Sequence, residues 1–186
     1  MDLETFILIG GRSRRFGSDK AFFEFEGEAL AARMARIAAP RSVRFVATSD
    51  EQFGVKTESL PGSVVFDTRP GFGAWSGLHA ALSNSTTEWT LVLACDLPFV
   101  TSEFLRQLES GVDDDVEAVV PRQSDGRLQP LCAIYRTKPS LAVVAYVLDS
   151  ETALPPVARL FERLRTKVIA VEGDELRNVN TPADLG

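Results

Sequence analysis

The run Thr5-Phe6-Ile7-Leu8-Ile9 breaks at Gly10-Gly11 into the loop Arg12-Ser13-Arg14-Arg15-Phe16-Gly17-Ser18-Asp19-Lys20, rich in glycine and in positive charge. Five apolar or β-branched residues closed by two glycines leave no room for a helix, so the run reads as a buried strand feeding a loop. Gly10, Gly11 and Gly17 lack a Cβ, which makes positive φ cheap and lets backbone N–H groups approach an anion closely. Arg12, Arg14, Arg15 and Lys20 are opposed there only by Asp19, in a chain whose net charge is −6. A solvated surface turn is the plain alternative. The loop follows the first strand directly, however, which is where open α/β sheets place their ligand crevice, and this favours phosphate or nucleotide binding. It is not a Walker A loop, because Asp19 and not Gly precedes Lys20, and no Gly-x-Gly-x-x-Gly is present.

Further along, Phe22, Phe23 and Phe25 read as a short strand ending at Gly27, and residues 29–39 as a helix in which Leu30, Met34 and Ile37 share a face and Pro40 is the stop. Val43 to Ala47 and Ser63 to Phe66 are expected strands. The second ends on Asp67 and opens a glycine-rich loop, Asp67 to Gly77, leading to a helix over Gly77 to Asn84 that carries His79. Two such loops at neighbouring strand ends would face one crevice. Asp67 is either a turn residue or a ligand in it, and Trp75 is a packing residue before it is a stacking platform. Trp89 to Ala94 is nearly all apolar, as a central strand buried on both faces should be, and it ends in Cys95-Asp96-Leu97-Pro98. A carboxylate at that position suits phosphate-bound magnesium, which prefers one or two carboxylates plus substrate phosphates. Cys95 reads as a small buried filler.

Helices are expected over Ser102 to Ser110 with Ser102 as cap, over Pro139 to Leu148 and over Pro155 to Leu164. Strands are expected over Val116 to Val120, Leu131 to Tyr135 and Val168 to Val171, the first two joined by the turn Ser124-Asp125-Gly126-Arg127. Asp113-Asp114-Asp115 reads as a solvated loop, since consecutive carboxylates cannot all face one ion. Near the end, Thr181 caps a short helix with Pro182 at its first position. The alternation predicts a three-layer α/β fold with a mostly parallel sheet, the Gly126 hairpin adding an antiparallel element.

Composition narrows the function further. A chain of 186 residues with 45% hydrophobic content can form one core, so a single domain over 1–186 is expected. Short apolar runs, and Asp2 and Glu4 in the first four residues, predict neither a membrane span nor a secretory signal. Two isolated cysteines suit a reduced, cytoplasmic setting. The net negative charge argues against nucleic acid as partner. With one histidine in the chain, neither a histidine metal cluster nor a Ser/His/Asp triad is expected.

The first loop, together with Asp67, Gly73, Gly77, Cys95-Asp96-Leu97-Pro98, Gln129-Pro130-Leu131 and Asn178-Val179-Asn180-Thr181-Pro182, closely resembles the molybdenum cofactor guanylyltransferases, the molybdopterin-guanine dinucleotide biosynthesis protein A family. The likeness runs almost end to end. It implies a Rossmann-like nucleotidyltransferase fold and the transfer of GMP from GTP to the terminal phosphate of molybdopterin, with Mg²⁺ required and pyrophosphate released. It also implies roles for individual residues. Leu8, Ile9 and Gly10 hold GTP, with Gly11, Arg15 and Gly17 continuing the loop and Lys20 on the phosphates. Asp67 and Gly73 belong to the nucleotide site, Asp96 is the magnesium ligand, and Asn178 and Asn180 lie on the pterin side. A protein that delivers molybdopterin is a candidate partner. The chain departs from the family's usual pattern at Ile9, at Phe16, at Gly73-Ala74-Trp75-Ser76-Gly77 and at Ser49. The alternatives are a molybdopterin cytidylyltransferase, a sugar-phosphate nucleotidyltransferase, or a nucleotide-binding module without catalysis.

Overall fold

A computed structural model describes residues 1–10, 20–48 and 54–185. Its strands are β1 (Leu3–Leu8), β2 (Glu24–Phe25), β3 (Glu28–Ala29), β4 (Ser42–Ala47), β5 (Ser63–Phe66), β6 (Trp89–Ala94), β7 (Ala118–Arg122), β8 (Cys132–Arg136) and β9 (Thr166–Ala170). Its helices are α1 (Leu30–Ala38), α2 (Ala74–Asn84), α3 (Ser102–Glu109) and α4 (Thr137–Ser150). Seven strands form one sheet in the order β5-β4-β1-β6-β8-β7-β9. β5, β4, β1 and β6 run parallel, β8 runs antiparallel between β6 and β7, and β9 pairs parallel with β7. The small β2–β3 hairpin stands apart.

The period-two alternation of the central strands sorts their side chains into two layers. On one face Ile7, Ile9, Leu91 and Leu93 pack with Met34 and Ile37 of α1 and with Phe104, Leu105 and Leu108 of α3. On the other, Phe6, Leu8 and Val92 pack with Leu78 and Leu82 of α2 and Val144 and Val147 of α4. All six residues of β6 are buried, as suits a nearly all apolar strand, and its one polar side chain, Thr90, shares a hydrogen bond with the Thr137 hydroxyl at 2.9 Å. Gly77 lets α2 lie close over the sheet, since a Cβ there would sit 3.2 Å from Leu8 Cδ1. The contact fixes the first turn of α2 above the carboxyl end of β1.

Several local expectations are corrected. The cap of α3 is Thr101, whose hydroxyl accepts the Phe104 N–H at 3.1 Å, while Ser102 donates to the Ile37 carbonyl and ties α3 to α1. The segment expected as a helix over Pro155 to Leu164 is a 3₁₀ stretch, Val157–Glu162, in which the Arg159 N–H reaches back to the Pro156 carbonyl. α2 starts at Ala74, one turn before Gly77. Only Phe25 of the three phenylalanines after the first loop is in a strand, and Phe22 ends a 3₁₀ turn, Lys20–Phe22. At the C-terminal 3₁₀ turn, Pro182–Leu185, Asp184 Oδ2 accepts the Asn180 and Thr181 N–H groups. Trp75 is buried and donates its indole N–H to the Pro155 carbonyl at 2.8 Å, so it packs and does not offer a stacking face. Among the described residues no helix is long and apolar enough to cross a membrane.

Candidate active site

Parallel pairing brings the carboxyl ends of β5, β4, β1 and β6 into one row. Asp67 closes β5, its N–H donating to the Ala47 carbonyl at the end of β4. Ile9 and Gly10 extend β1, both N–H groups donating to the Val46 carbonyl. A Cβ on Gly10 would lie 2.9 Å from Thr48 Cγ2 and 3.0 Å from the Thr48 nitrogen, so only glycine fits between the two strand ends. Cys95 donates its N–H to the Leu8 carbonyl, which places Asp96 directly across from the exit of β1. After β1 the chain crosses to β4 through α1, and after β6 it moves the other way through α3. The gap between β1 and β6 is therefore a topological switch point, where open α/β sheets bind ligands.

At that gap Lys20 Nζ donates to Asp96 Oδ2 at 3.3 Å, joining residues 76 apart in sequence. The other carboxylate oxygen, Asp96 Oδ1, is buried and makes no hydrogen bond. A buried carboxylate oxygen without a donor is costly unless a cation completes it. The pair therefore offers a cation for phosphate and an oxygen open to a hard divalent ion. Cys95 beside it is inert: burial, reinforced by the Asp96 charge, pushes its thiol up to about 12.

Asp67 has one settled role. Its Oδ1 accepts the Arg69 N–H at 2.8 Å, and the Arg69 guanidinium pairs with Asp149 of α4 at 2.6 Å. Ser76 Oγ donates to the Arg69 carbonyl and accepts the Phe72 N–H. Gly73 has φ of 59°, in a region open to glycine, and accepts the Ser76 and Gly77 N–H groups at the start of α2. This glycine loop is thus held in shape before any ligand arrives. His79 is half-buried, and its pKa is lowered by burial and by the Arg69 guanidinium, so the imidazole is neutral near pH 7.

The C-terminal segment closes the other side. The Val179 N–H donates to the Asp96 carbonyl at 2.9 Å, so Asn178 and Asn180 flank a residue bonded to the metal candidate itself. Gln129 Nε2 donates to Asn178 Oδ1 at 3.0 Å, and Gln129 is held in turn by its own N–H to the Pro121 carbonyl. Tyr135 donates its hydroxyl to the Pro130 carbonyl at 2.7 Å, and Ala94 donates its N–H to the Leu131 carbonyl. The Gln129-Pro130-Leu131 turn is therefore a bracket between β6 and Asn178. Residue-type reasoning gave Gln129 no role; its signal was its place in a motif segment. Leu8, Ile9, Gly10, Lys20, Asp67, Gly73, Asp96, Asn178 and Asn180 all lie along this edge, whereas Gly11, Arg15 and Gly17, like Ser49, fall outside the described residues.

A family model described as the MobA-like NTP transferase domain matches residues 5–168. The chain belongs to the MobA-like NTP transferase family. It is 33% identical over 186 aligned residues to a probable molybdenum cofactor guanylyltransferase from Pelotomaculum thermopropionicum, covering 96% of this chain and 88% of that one. A probable molybdenum cofactor guanylyltransferase from Clostridium perfringens is also 33% identical, but the match spans 70% of this chain and 64% of that relative. Among solved structures, molybdopterin-guanine dinucleotide biosynthesis protein A from Archaeoglobus fulgidus superposes with a TM-score of 0.82 at 25% identity, covering 98% of this chain and 94% of the other. Membership of the MobA-like family thus accounts for the seven-stranded mixed sheet.

Proposed function

We infer that the chain is a molybdenum cofactor guanylyltransferase that transfers GMP from GTP to the terminal phosphate of molybdopterin and releases pyrophosphate, its whole length acting as one nucleotidyltransferase domain. The observation that carries this reading is the Lys20–Asp96 pair at the switch point, with Asp96 Oδ1 buried and unpartnered, in a chain of the MobA-like family.

The residues fit the reaction. A phosphate monoester is largely dianionic near neutral pH, its second pKa being about 6. An acceptor oxygen can therefore attack the α-phosphorus of GTP without a general base. A new P–O bond forms as the bond to the β-phosphate bridging oxygen breaks, and pyrophosphate leaves. What the protein must supply is alignment and charge neutralisation. Gly10 and the loop through Gly11, Arg15 and Gly17 receive the nucleotide, Leu8 and Ile9 border it, and Lys20 and Arg15 bind its phosphates. Asp67 and Gly73 complete the nucleotide side, and Asn178 and Asn180 orient the acceptor. Asp96 would hold Mg²⁺ through its unpartnered oxygen, and the ion supplies positive charge to the triphosphate and the departing pyrophosphate. The same reading places the protein in the cytoplasm, a setting that suits the two free buried thiols, with a molybdopterin-delivering protein as a partner.

Incubation with α-labelled GTP and molybdopterin should move the label onto the pterin and yield a guanine dinucleotide. Label that stays in GTP in the presence of a competent acceptor would overturn the reading. Replacing Lys20 by alanine removes a charge-assisted phosphate contact, and the affinity for GTP is expected to fall about tenfold to a hundredfold. Equilibrium binding of GTP to Lys20→Ala checks this, and unchanged affinity would remove Lys20 from the phosphate site.

A further inference from the structure

The segment that carries Asn178 and Asn180 begins with an arginine to which the mechanism above gives no task. Arg177 is exposed, and its guanidinium carbon lies 4.2 Å from the centroid of the Phe99 ring. Phe99 meets Phe25 edge-on, with ring centroids 6.0 Å apart. Arg33 lies over the Phe25 ring, 5.0 Å from its centroid, and is itself tied to the Pro98 carbonyl and to Glu26. A cation over an aromatic face is attracted by the ring quadrupole. The ladder therefore fixes where the Arg177 guanidinium sits while using none of its N–H donors. Among the described residues that guanidinium makes no hydrogen bond and no ion pair. This sets it apart from Arg33, Arg36, Arg41, Arg44 and Arg69, each of which is paired with a carboxylate.

Its location gives the unspent donors a purpose. Two residues on, the Val179 N–H is bonded to the Asp96 carbonyl, and Phe99 follows Asp96 by three residues, so Arg177 and the ring it covers both belong to segments joined to the metal candidate. The Lys20 charge also reaches this segment, since it helps to hold the Asp184 carboxyl below its ordinary range, after the N–H groups of Asn180 and Thr181. A planar fork of donors, positioned by stacking and left unpaired at the rim of a phosphate-transfer site, is suited to a phosphate monoester.

We propose that Arg177, held by Phe99, binds the terminal phosphate of the acceptor and is a specificity residue for phosphorylated pterin. The proposal rests on the guanylyltransferase reading. A phosphate of the nucleotide has the same chemistry, and the two sources are separated by which Michaelis constant moves.

The test compares wild type, Arg177→Ala, Arg177→Lys and Phe99→Leu, measuring KM for molybdopterin and for GTP, and molybdopterin binding by pterin fluorescence without turnover. Arg177→Ala should raise KM and Kd for molybdopterin about tenfold to a hundredfold, with KM for GTP changed less than twofold. Arg177→Lys should recover part of the loss because it keeps charge but not the fork, and Phe99→Leu should show a smaller loss of the same kind. Wild-type turnover with unchanged molybdopterin affinity in Arg177→Ala would overturn the proposal alone, as would a shift confined to GTP or an equal loss for both substrates. Failure of the wild type itself to bind molybdopterin would overturn the guanylyltransferase reading and Arg177's role with it.

Discussion

Asp96→Asn is expected to lower the rate of GMP transfer by two to three orders of magnitude, the order lost when one electrostatic stabiliser of a transition state is removed, with little change in stability. The two halves of that expectation have one cause. In the free protein Asp96 spends one oxygen on Lys20 at 3.3 Å and leaves the other buried without a donor. Such an arrangement costs folding free energy that a residue kept for packing would have no reason to impose. An amide keeps the shape, removes the charge and weakens the site as a ligand for a hard cation. Thermal midpoints of the two proteins should agree within a few degrees while turnover collapses, and added Mg²⁺ should not restore it. Full activity in Asp96→Asn would remove the metal assignment, and unfolding of the variant would make Asp96 structural.

Phe6→Ala should give the largest loss of stability, about 3–5 kcal/mol by analogy with other buried aromatic truncations. Phe6 is fully buried in β1, at the middle of the parallel pairs with β4 and β6, opposite Arg44 and Val92. The Arg44 guanidinium covers its ring at 5.3 Å, so truncation leaves a void under a charged group. A domain of ordinary stability, about 5–15 kcal/mol, would keep a folded population at 25 °C with a midpoint lower by on the order of 10 °C. Urea denaturation checks the magnitude. A loss below about 1 kcal/mol would mean that the core between β1, α2 and α4 collapses around the gap far more readily than a close-packed interior does.

Much of the fold was legible because its strands are short apolar runs with chemical end marks. Ser63–Phe66 and Trp89–Ala94 were read to the residue, each ending where an aspartate or Cys-Asp-Leu-Pro takes over. The misreadings share a physical reason. Thr101 and Ser102 are adjacent hydroxyls that can each cap α3, Ser being if anything the better N-cap residue, and the choice is made by Ile37 of α1, whose carbonyl takes Ser102. Pro155 to Leu164 has the apolar spacing of a helix, yet Trp75 holds the Pro155 carbonyl and the segment that follows is tightened into a 3₁₀ stretch.

The site divides in the same way. Its charged members stand out locally, since a strand ending in glycine or aspartate announces itself. How they meet does not. Lys20 reaches Asp96 across 76 positions and Gln129 reaches Asn178 across 49, through strand pairing and a turn that no local pattern encodes. Arg177 is the extreme case, because its value as a ligand depends on Phe99 and Phe25, which sequence alone presents as scattered aromatics.

Pyrophosphate release from GTP, CTP, ATP and UTP, each supplied with Mg²⁺ and molybdopterin, tests the central claim most directly. Release with GTP alone is the predicted result; release with CTP in its place, or silence with all four nucleotides and a competent acceptor, would contradict it.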